Sequence, residues 1–133
     1  MSVYVTDIHS LIYYVTGLNA KLSRRALRAF QQAERGEAYI YVPAVILWEI
    51  SRLEKEDAIR LYEPYEEWAD ALLAHPGFEC VPLDEEVIAE ARHYGFNRDV
   101  FDAAIVATAR LKDVPLITRD EAITSSKIMD ICW

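Results

Sequence analysis

Short apolar runs alternate with amphipathic stretches along nearly the whole chain. Runs rich in β-branched and aromatic residues, bounded mostly by polar, glycine or proline residues, predict strands at 3–5, 39–42, 78–81, 114–118 and 128–132. Apolar residues at helical spacing between those runs predict helices at 8–15, 22–33, 43–53, 64–73, 85–92 and 100–111. Because the crossovers are long enough to hold a helix, the pattern predicts an α/β sandwich with a mostly parallel sheet of about five strands.

The composition fits one globular domain that comprises residues 1–133, since hydrophobic residues make up 53% of the chain and charged residues 27%. Acidic residues number 22 and basic residues 14, which gives a net charge of −8. This balance excludes binding to nucleic acid through bulk positive charge. It leaves open a reaction on nucleic acid in which divalent metal ions neutralise the carboxylates.

The cysteines and the N-terminal residues indicate the cellular compartment in which the protein is expected. Cys80 and Cys132 lie far apart and form no CxxC motif, which argues against a zinc site or a disulfide framework and fits a reducing compartment. The first residues lack the basic segment of a signal peptide, and the longest apolar run, 42–48, is far shorter than the roughly 20 residues needed to cross a bilayer. We therefore expect a cytoplasmic protein that makes no contact with a membrane.

Two carboxylates follow predicted strands, at the sheet edge where parallel α/β proteins bind their ligands. Asp7 closes the first predicted strand, and Asp120 follows the strand 114–118. Each also suits the N-cap of a following helix, because an Asp side chain accepts hydrogen bonds from the N–H groups of a first helical turn. Position alone does not decide between a cap and a site.

Two further carboxylates, Glu49 and Asp102, lie on the apolar faces of predicted helices. Their neighbours at helical spacing are apolar: Ile46, Ile50 and Leu53 around Glu49, and Ile105, Val106 and Ala109 after Asp102. A carboxylate that faces a core needs a partner, because an isolated buried charge is strongly destabilising. Glu49 and Asp102 are therefore candidate site residues.

Either a basic side chain or a divalent metal ion would stabilise these two acids. The nearby side chains are Arg52, Arg98 and Arg110, none of which the sequence forces onto the same helix face. The other solution is a divalent cation shared by several acids, and ligands that are all oxygen favour Mg²⁺ or Mn²⁺. Asp99, three residues before Asp102, is most simply the N-cap of its helix, with an indirect role beside the metal also open.

Four segments of the chain together resemble the motifs of PIN-domain proteins. They run in the family's order and span residues 4–120: YVTDIHSLI at 4–12, AVILWEI at 44–50, NRDVFDAAIVATA at 97–109 and LITRD at 116–120. Each motif alone is weak, but four in order with a matching pattern of strands and helices are specific. Within the family the sequence is most similar to the VapC-like toxin ribonucleases of toxin–antitoxin pairs.

The resemblance implies a three-layer α/β/α domain with a parallel sheet and an acidic pocket that holds one or two Mg²⁺ or Mn²⁺ ions. It implies endonucleolytic cleavage of RNA, restraint by a small antitoxin protein, and a homodimer. The family's acids correspond to Asp7, Glu49, Asp102 and Asp120. In two places the sequence departs from the family. Ile8 stands where a Ser or Thr usually follows the first Asp, and Ala103 stands where an Arg often follows the third acid.

Other polar residues are candidates for supporting roles. Thr6 or Ser10 could replace the hydroxyl that Ile8 lacks, and Thr118 could orient a ligand water. Arg98 and Arg119 flank two of the acids and are the candidates for contacts with substrate phosphates. A second basic cluster, Lys21, Arg24, Arg25 and Arg28, is more typical of a solvated helix face.

Two other functions fit parts of the pattern. The first is a non-catalytic PIN-like module that binds RNA or a protein, which Ile8 favours and the intact acids disfavour. The second is a phosphohydrolase in which Asp7 is the nucleophile, but such enzymes commonly carry a second Asp two residues later, where this chain has His9. The large aromatic residues Tyr13, Tyr14, Trp48 and Trp68 are expected mainly in the core.

Overall fold

The computed structural model describes residues 1–95 and 99–133 and contains one five-stranded sheet. Every pair of neighbouring strands is parallel. The order across the sheet is β3-β2-β1-β4-β5. The strands are β1 (Ser2–Thr6), β2 (Ala38–Pro43), β3 (Phe78–Val81), β4 (Leu116–Ile117) and β5 (Ile131–Cys132).

Helices connect the strands. They are α1 (Ile8–Val15), α2 (Arg24–Glu34), α3 (Ala44–Lys55), α4 (Tyr65–Ala74), α5 (Glu85–Ala91), α6 (Val100–Lys112) and α7 (Glu121–Ser126), with a short 3-10 helix at Asn19–Lys21. Polar side chains begin several of these helices, as when Ser23 accepts the N–H of Ala26 at the start of α2. At the other end of α2, Gly36 turns the chain with a positive φ of 74°.

The helices cover both faces of the sheet. Phe78 is paired with Ile40, the residue next to Tyr41, so the side chains of Phe78 and Tyr41 point to opposite faces. The Nζ of Lys112, at the end of α6, lies 4.7 Å from the centroid of the Tyr41 ring. The ring of His75, which follows α4, lies 5.7 Å from the Phe78 ring on the other face. The predicted three-layer α/β/α fold is confirmed.

The last two strands are shorter than the sequence predicts. The runs 114–118 and 128–132 are reduced to two paired residues each. Pro115 has no N–H to give to a ladder, and positive φ angles at Asp113 and Lys127 turn the chain just before each strand. The sequence also placed Pro43 in the first turn of α3, whereas it is the last residue of β2 and the N-cap of that helix.

The strand order creates a crevice at the carboxyl end of the sheet. From β1 the chain builds outward through β2 and β3, and then returns to the other side of β1 to form β4 and β5. Connections that leave two neighbouring strands in opposite directions open a crevice between their carboxyl ends. That point lies between β1 and β4, which are followed by Asp7 and Asp120. Within the two described ranges, no helix combines the length and apolar character needed to cross a bilayer.

Candidate active site

A cleft of about 680 Å³ opens at the carboxyl ends of β1 and β4. Acidic side chains from four parts of the chain line it: Asp7, Glu49, Asp99, Asp102 and Asp120. Its other lining residues include Ile8, His9, Ser10, Tyr13, Leu53, Phe101, Arg119 and Trp133. The four acids that the sequence singled out therefore meet in one cleft, although they are separated by up to 113 residues along the chain.

Asp7 is both the N-cap of α1 and a wall of the cleft. Its Oδ1 accepts the N–H of Ser10 at 2.9 Å, and its carboxyl group is also hydrogen-bonded by the side chains of Ser10 and Thr118. Burial raises the pKa of Asp7, and these hydrogen bonds offset part of the rise. A cap engages one carboxylate oxygen, so the cap and the site are compatible roles.

Ser10 and Thr118 supply the hydroxyl groups that Ile8 cannot. Thr6 is buried, and its hydroxyl donates to the main-chain carbonyl of Asp7 at 3.0 Å, away from the carboxylate. Ser10 is also buried and lies 3.3 Å from the Ile117 carbonyl, which ties α1 to β4. The sequence offered Thr6 and Ser10 as equal substitutes, and the geometry favours Ser10.

Asp120 has the equivalent position after β4. Its Oδ1 accepts the N–H of Ile123 at 3.0 Å and so caps α7, while its own N–H donates to Thr118 Oγ1 at 3.1 Å. Thr118 therefore contacts both Asp7 and Asp120. One buried threonine fixes the spacing between the two acids that follow adjacent strands.

Asp102 is partly buried and lies close to three other acids of the cleft. The pKa of Asp102 is raised to about 6, mainly by partial burial and in smaller part by the negative charges of Asp99, Asp120 and Asp7. Asp99 is the N-cap of α6, as predicted, because its Oδ1 accepts the N–H of Phe101 at 2.8 Å. Burial and the neighbouring negative charges therefore both disfavour the ionised form of Asp102.

Glu49 is paired with an arginine from its own helix. Arg52, one turn later on α3, donates to Glu49 Oε1 and also, at 2.8 Å, to Glu56. The Glu49 side chain is only 17% exposed, so it lies against the cleft wall beside the buried Ile46 and Ile50. Of the three arginines that the sequence left open as partners, Arg52 is the one that Glu49 uses.

Arg119, between Thr118 and Asp120, also lines the cleft, and its Nη2 donates to the Tyr13 hydroxyl at 3.4 Å. Arg98, the other predicted contact for substrate, lies outside the described residues. No role at the site was predicted from the sequence for Tyr13, Phe101 or Trp133. Trp133 reaches the cleft because β5 pairs with β4, a pairing for which the sequence pattern carries no local signal.

The geometry agrees with the comparison against known families. The sequence matches the family model of the PIN domain over residues 4–126. The chain belongs to the PIN domain family. This match covers all five acids of the cleft. Curated protein sequences contain no significant match to the chain.

Solved structures share the fold of this PIN domain. VapBC2 from Rickettsia felis, bound to a DNA fragment from their promoter, is 11% identical with a TM-score of 0.66, and the alignment covers 97% of this chain and 96% of that one. FitAcB from Neisseria gonorrhoeae is 19% identical with a TM-score of 0.59, over 96% of both chains. A toxin–antitoxin complex from Klebsiella pneumoniae is 19% identical with a TM-score of 0.56, over 88% of this chain and 86% of that one.

The acids of this PIN domain suit a divalent cation in chemistry. The donors are all carboxylate oxygens, and a shared cation would relieve the repulsion between Asp102 and its acidic neighbours. Within residues 1–95 and 99–133, however, no three His, Cys, Asp or Glu side chains already stand close enough to hold an ion. The set therefore fits a divalent cation by the chemistry of its donors, and in this arrangement Glu49 is paired with Arg52.

The pKa of Asp102 predicts a pH dependence of stability in the absence of metal. An acid whose pKa rises from 3.8 in the unfolded chain to about 6 in the folded one is harder to ionise when folded. Its contribution to stability falls as pH rises through this window, and the loss is complete above pH 6. Asp102→Asn should therefore stabilise the protein at pH 7 by about 1–2 kcal/mol, after allowance for solvent screening, and have little effect at pH 4.

Urea unfolding in EDTA at pH 4 and pH 7 would measure this effect. Asp70→Asn is the matched control, because Asp70 is exposed on α4 and does not line the cleft. Equal effects of Asp102→Asn at both pH values would contradict the electrostatic interpretation.

Proposed function

We propose that the protein is a metal-dependent endoribonuclease and the toxin of a type II toxin–antitoxin pair. The observation that carries the proposal is the convergence of Asp7, Glu49, Asp102 and Asp120 on one cleft of a PIN domain. PIN domains are generally nucleases. The four motifs are most similar to the VapC-like branch, which supports RNA as the substrate.

The acids divide the work at the site. Asp7, Glu49 and Asp102 would hold Mg²⁺ or Mn²⁺, and Asp120 would complete the site. When bound, the ion supplies polarisation of the phosphodiester and a lowered pKa for the attacking water. Ser10 and Thr118 keep the Asp7 carboxylate in place through their hydrogen bonds. Asp99 adds negative charge beside Asp102, and Arg98 and Arg119 would contact the phosphates of the strand.

Substitution of the acids tests the nuclease. Asp7→Asn, Glu49→Gln and Asp102→Asn should each lower RNA cleavage by roughly two orders of magnitude or more, because the acids act as a unit. Asp99→Asn is the matched control, since Asn caps a helix about as well as Asp and should retain most activity. The measurement is cleavage of a labelled RNA with millimolar Mn²⁺ or Mg²⁺ against EDTA, with circular dichroism of each variant.

The outcomes separate two functions. Cleavage that survives in EDTA or in the acid variants would contradict the proposal. A protein that binds RNA or a partner but never cleaves would instead be the non-catalytic module. The observation that favours this second function is the Glu49–Arg52 ion pair, which occupies one of the acids.

An antitoxin is the proposed protein partner, as in the toxin–antitoxin complex from Klebsiella pneumoniae that shares the fold. A free cleft with this much negative charge attracts a guanidinium group, which pairs with carboxylates through two parallel hydrogen bonds. A second cleft, of about 580 Å³, lies beside α1 and α4 and is lined by Tyr14, Tyr62, Trp68 and Phe78. We infer that one antitoxin segment places an arginine near Asp7 and apolar side chains in this second cleft.

Tyr62 offers a test of this interface because it is 85% exposed and its replacement should not disturb the core. Tyr62→Asp should weaken binding to the antitoxin at least tenfold, measured by titration calorimetry with the product of the adjacent small gene. Leu111→Asp, at an exposed position outside both clefts, is the control. A neighbouring gene product that neither binds nor inhibits cleavage would contradict the toxin role and leave the nuclease intact.

A homodimer is proposed from an exposed apolar surface to which α3, α5 and α6 contribute. Its most exposed members are Val100 at 75%, Trp48 at 65% and Ile88 at 51%. The Trp48 ring lies 5.8 Å from the Phe101 ring, and Phe101 lines both this surface and the acidic cleft. An exposed apolar surface is typical of an interface. Because the Trp48 side chain is exposed, the expectation that it lies in the core is wrong.

Val100→Asp should convert the protein to a monomer. An Asp in the first turn of α6 suits the helix dipole, so the fold should survive while the apolar surface gains a charge. Light scattering should give about twice the chain mass of 15.3 kDa for the wild-type protein and the Leu111→Asp control, and the single mass for Val100→Asp. A wild-type protein that is monomeric at micromolar concentration would contradict the dimer.

A further inference from the structure

Two basic side chains meet on one aromatic ring at the rim of the acidic cleft. The Nζ of Lys21 lies 5.5 Å from the centroid of the Tyr13 ring, and the guanidinium carbon of Arg119 lies 5.6 Å from it. Arg119 also donates to the Tyr13 hydroxyl at 3.4 Å. We call Lys21, Tyr13 and Arg119 the cationic rim.

The cationic rim is assembled from three separate elements. Tyr13 lies on α1, Lys21 ends the short 3-10 helix, and Arg119 follows β4. Tyr13 and Arg119 both line the acidic cleft, and Arg119 immediately precedes Asp120. The positive charges therefore have a fixed position beside the carboxylates, which a run of basic residues on one helix would not provide.

Neither cation of the rim is neutralised by a carboxylate. In the part of the chain that the structure describes, the ion pairs within 4.0 Å join Arg35 to Glu37 and Arg52 to Glu49 and Glu56. A cation that an aromatic ring orients keeps its full charge available to a ligand.

We propose that Lys21 and Arg119, oriented by the Tyr13 ring, bind phosphates of a single-stranded RNA as it enters the acidic cleft. The proposal rests on the proposed nuclease function and adds Lys21 as a binding residue and Tyr13 as a positioning residue. The physical need is clear from the charges, because a polyanion approaching a cleft of five carboxylates is repelled unless cations at the rim attract it.

An RNA strand fits the cationic rim better than a protein partner does. The second cleft, proposed above for the antitoxin's apolar side chains, is lined by neither Lys21 nor Arg119. The phosphates of RNA are attracted by the same cations. The charge pattern thus assigns the rim to the substrate and the carboxylates to the ion or the inhibitor.

Binding without cleavage tests the proposal directly. The probe is a labelled single-stranded RNA 12-mer of mixed sequence, bound to the wild-type protein in EDTA and followed by fluorescence anisotropy from 25 to 200 mM NaCl. Lys21→Gln and Arg119→Gln should each raise Kd about threefold or more and lower the slope of log Kd against log salt by about 0.7, the value for one phosphate contact on a single strand.

Variants of Tyr13 separate orientation from charge. Tyr13→Leu should raise Kd about threefold with little change in the salt slope, because both charges remain but lose their common support. Tyr13→Phe keeps the ring and should restore binding. Lys127→Gln removes the same charge at the opposite end of the sheet and is the matched control. In cleavage assays with Mn²⁺, Lys21→Gln should raise KM and leave kcat nearly unchanged.

The possible failures are distinguishable. Active enzyme whose RNA binding and KM are unaffected by Lys21→Gln and Tyr13→Leu would overturn the cationic rim and leave the nuclease standing. Variants that lose affinity for the antitoxin and not for RNA would overturn it in favour of the protein partner. A wild-type protein that neither binds the RNA at 25 mM NaCl nor cleaves it with Mn²⁺ would overturn both proposals.

Discussion

Repulsion between carboxylates is the constraint on which this structure depends. In the parallel sheet, β1 and β4 lie side by side, so their carboxyl ends are adjacent. An Asp follows each of these two strands. α6 adds Asp102 and Asp99, whose negative charges help to raise the pKa of Asp102. Such a concentration of like charge costs stability, so hydrogen bonds, helix caps and neighbouring cations must hold it.

The fold supplies that support in different ways for different acids. Asp7 and Asp120 cap helices and share Thr118, so their positions are fixed by the backbone. Glu49 lies on a helix wall and is held by an ion pair with Arg52. The acids at the strand ends are therefore held by main-chain hydrogen bonds, whereas the acid on α3 is held by a side-chain ion pair. Lys21 and Arg119, at the Tyr13 ring, lie outside the group of carboxylates. In the proposed function, the residues that attract RNA are therefore separate from those that cleave it.

Much of this arrangement could be predicted from sequence because it follows local rules. Hydrophobic periodicity located β1, β2 and β3 within one or two residues, and the placement of Asp7 and Asp120 after strands pointed to the right sheet edge. The other two acids, Glu49 and Asp102, were identified because each is a charged residue on an otherwise apolar helix face. All four lie in one cleft because the sheet is parallel, as predicted, and its strand order places β1 beside β4.

What escaped prediction depends on contacts between distant segments. Periodicity overestimated β4 and β5 because they pair over only two residues each, and it gave no sign that Trp133 would reach the cleft. The exposure of Trp48 depends on which face of α3 the core leaves uncovered. The ring that joins Lys21 to Arg119 spans about a hundred residues of sequence and follows from no local pattern.

The double role of Asp7 and Asp120 has a consequence for how this protein can lose activity. A change at either position to a residue that cannot cap also removes the anchor of a helix, so the damaged chain tends to be unstable and degraded. Glu49 and Asp102 cap no helix, so a neutral replacement at either position removes no helix anchor. Under selection against a harmful activity, inactive but stable proteins that still bind and occupy an inhibitor would therefore arise at the two helix-wall acids. Substitutions of Asp7 or Asp120 that remove the cap would instead lower the amount of folded protein and leave the proposed antitoxin unbound.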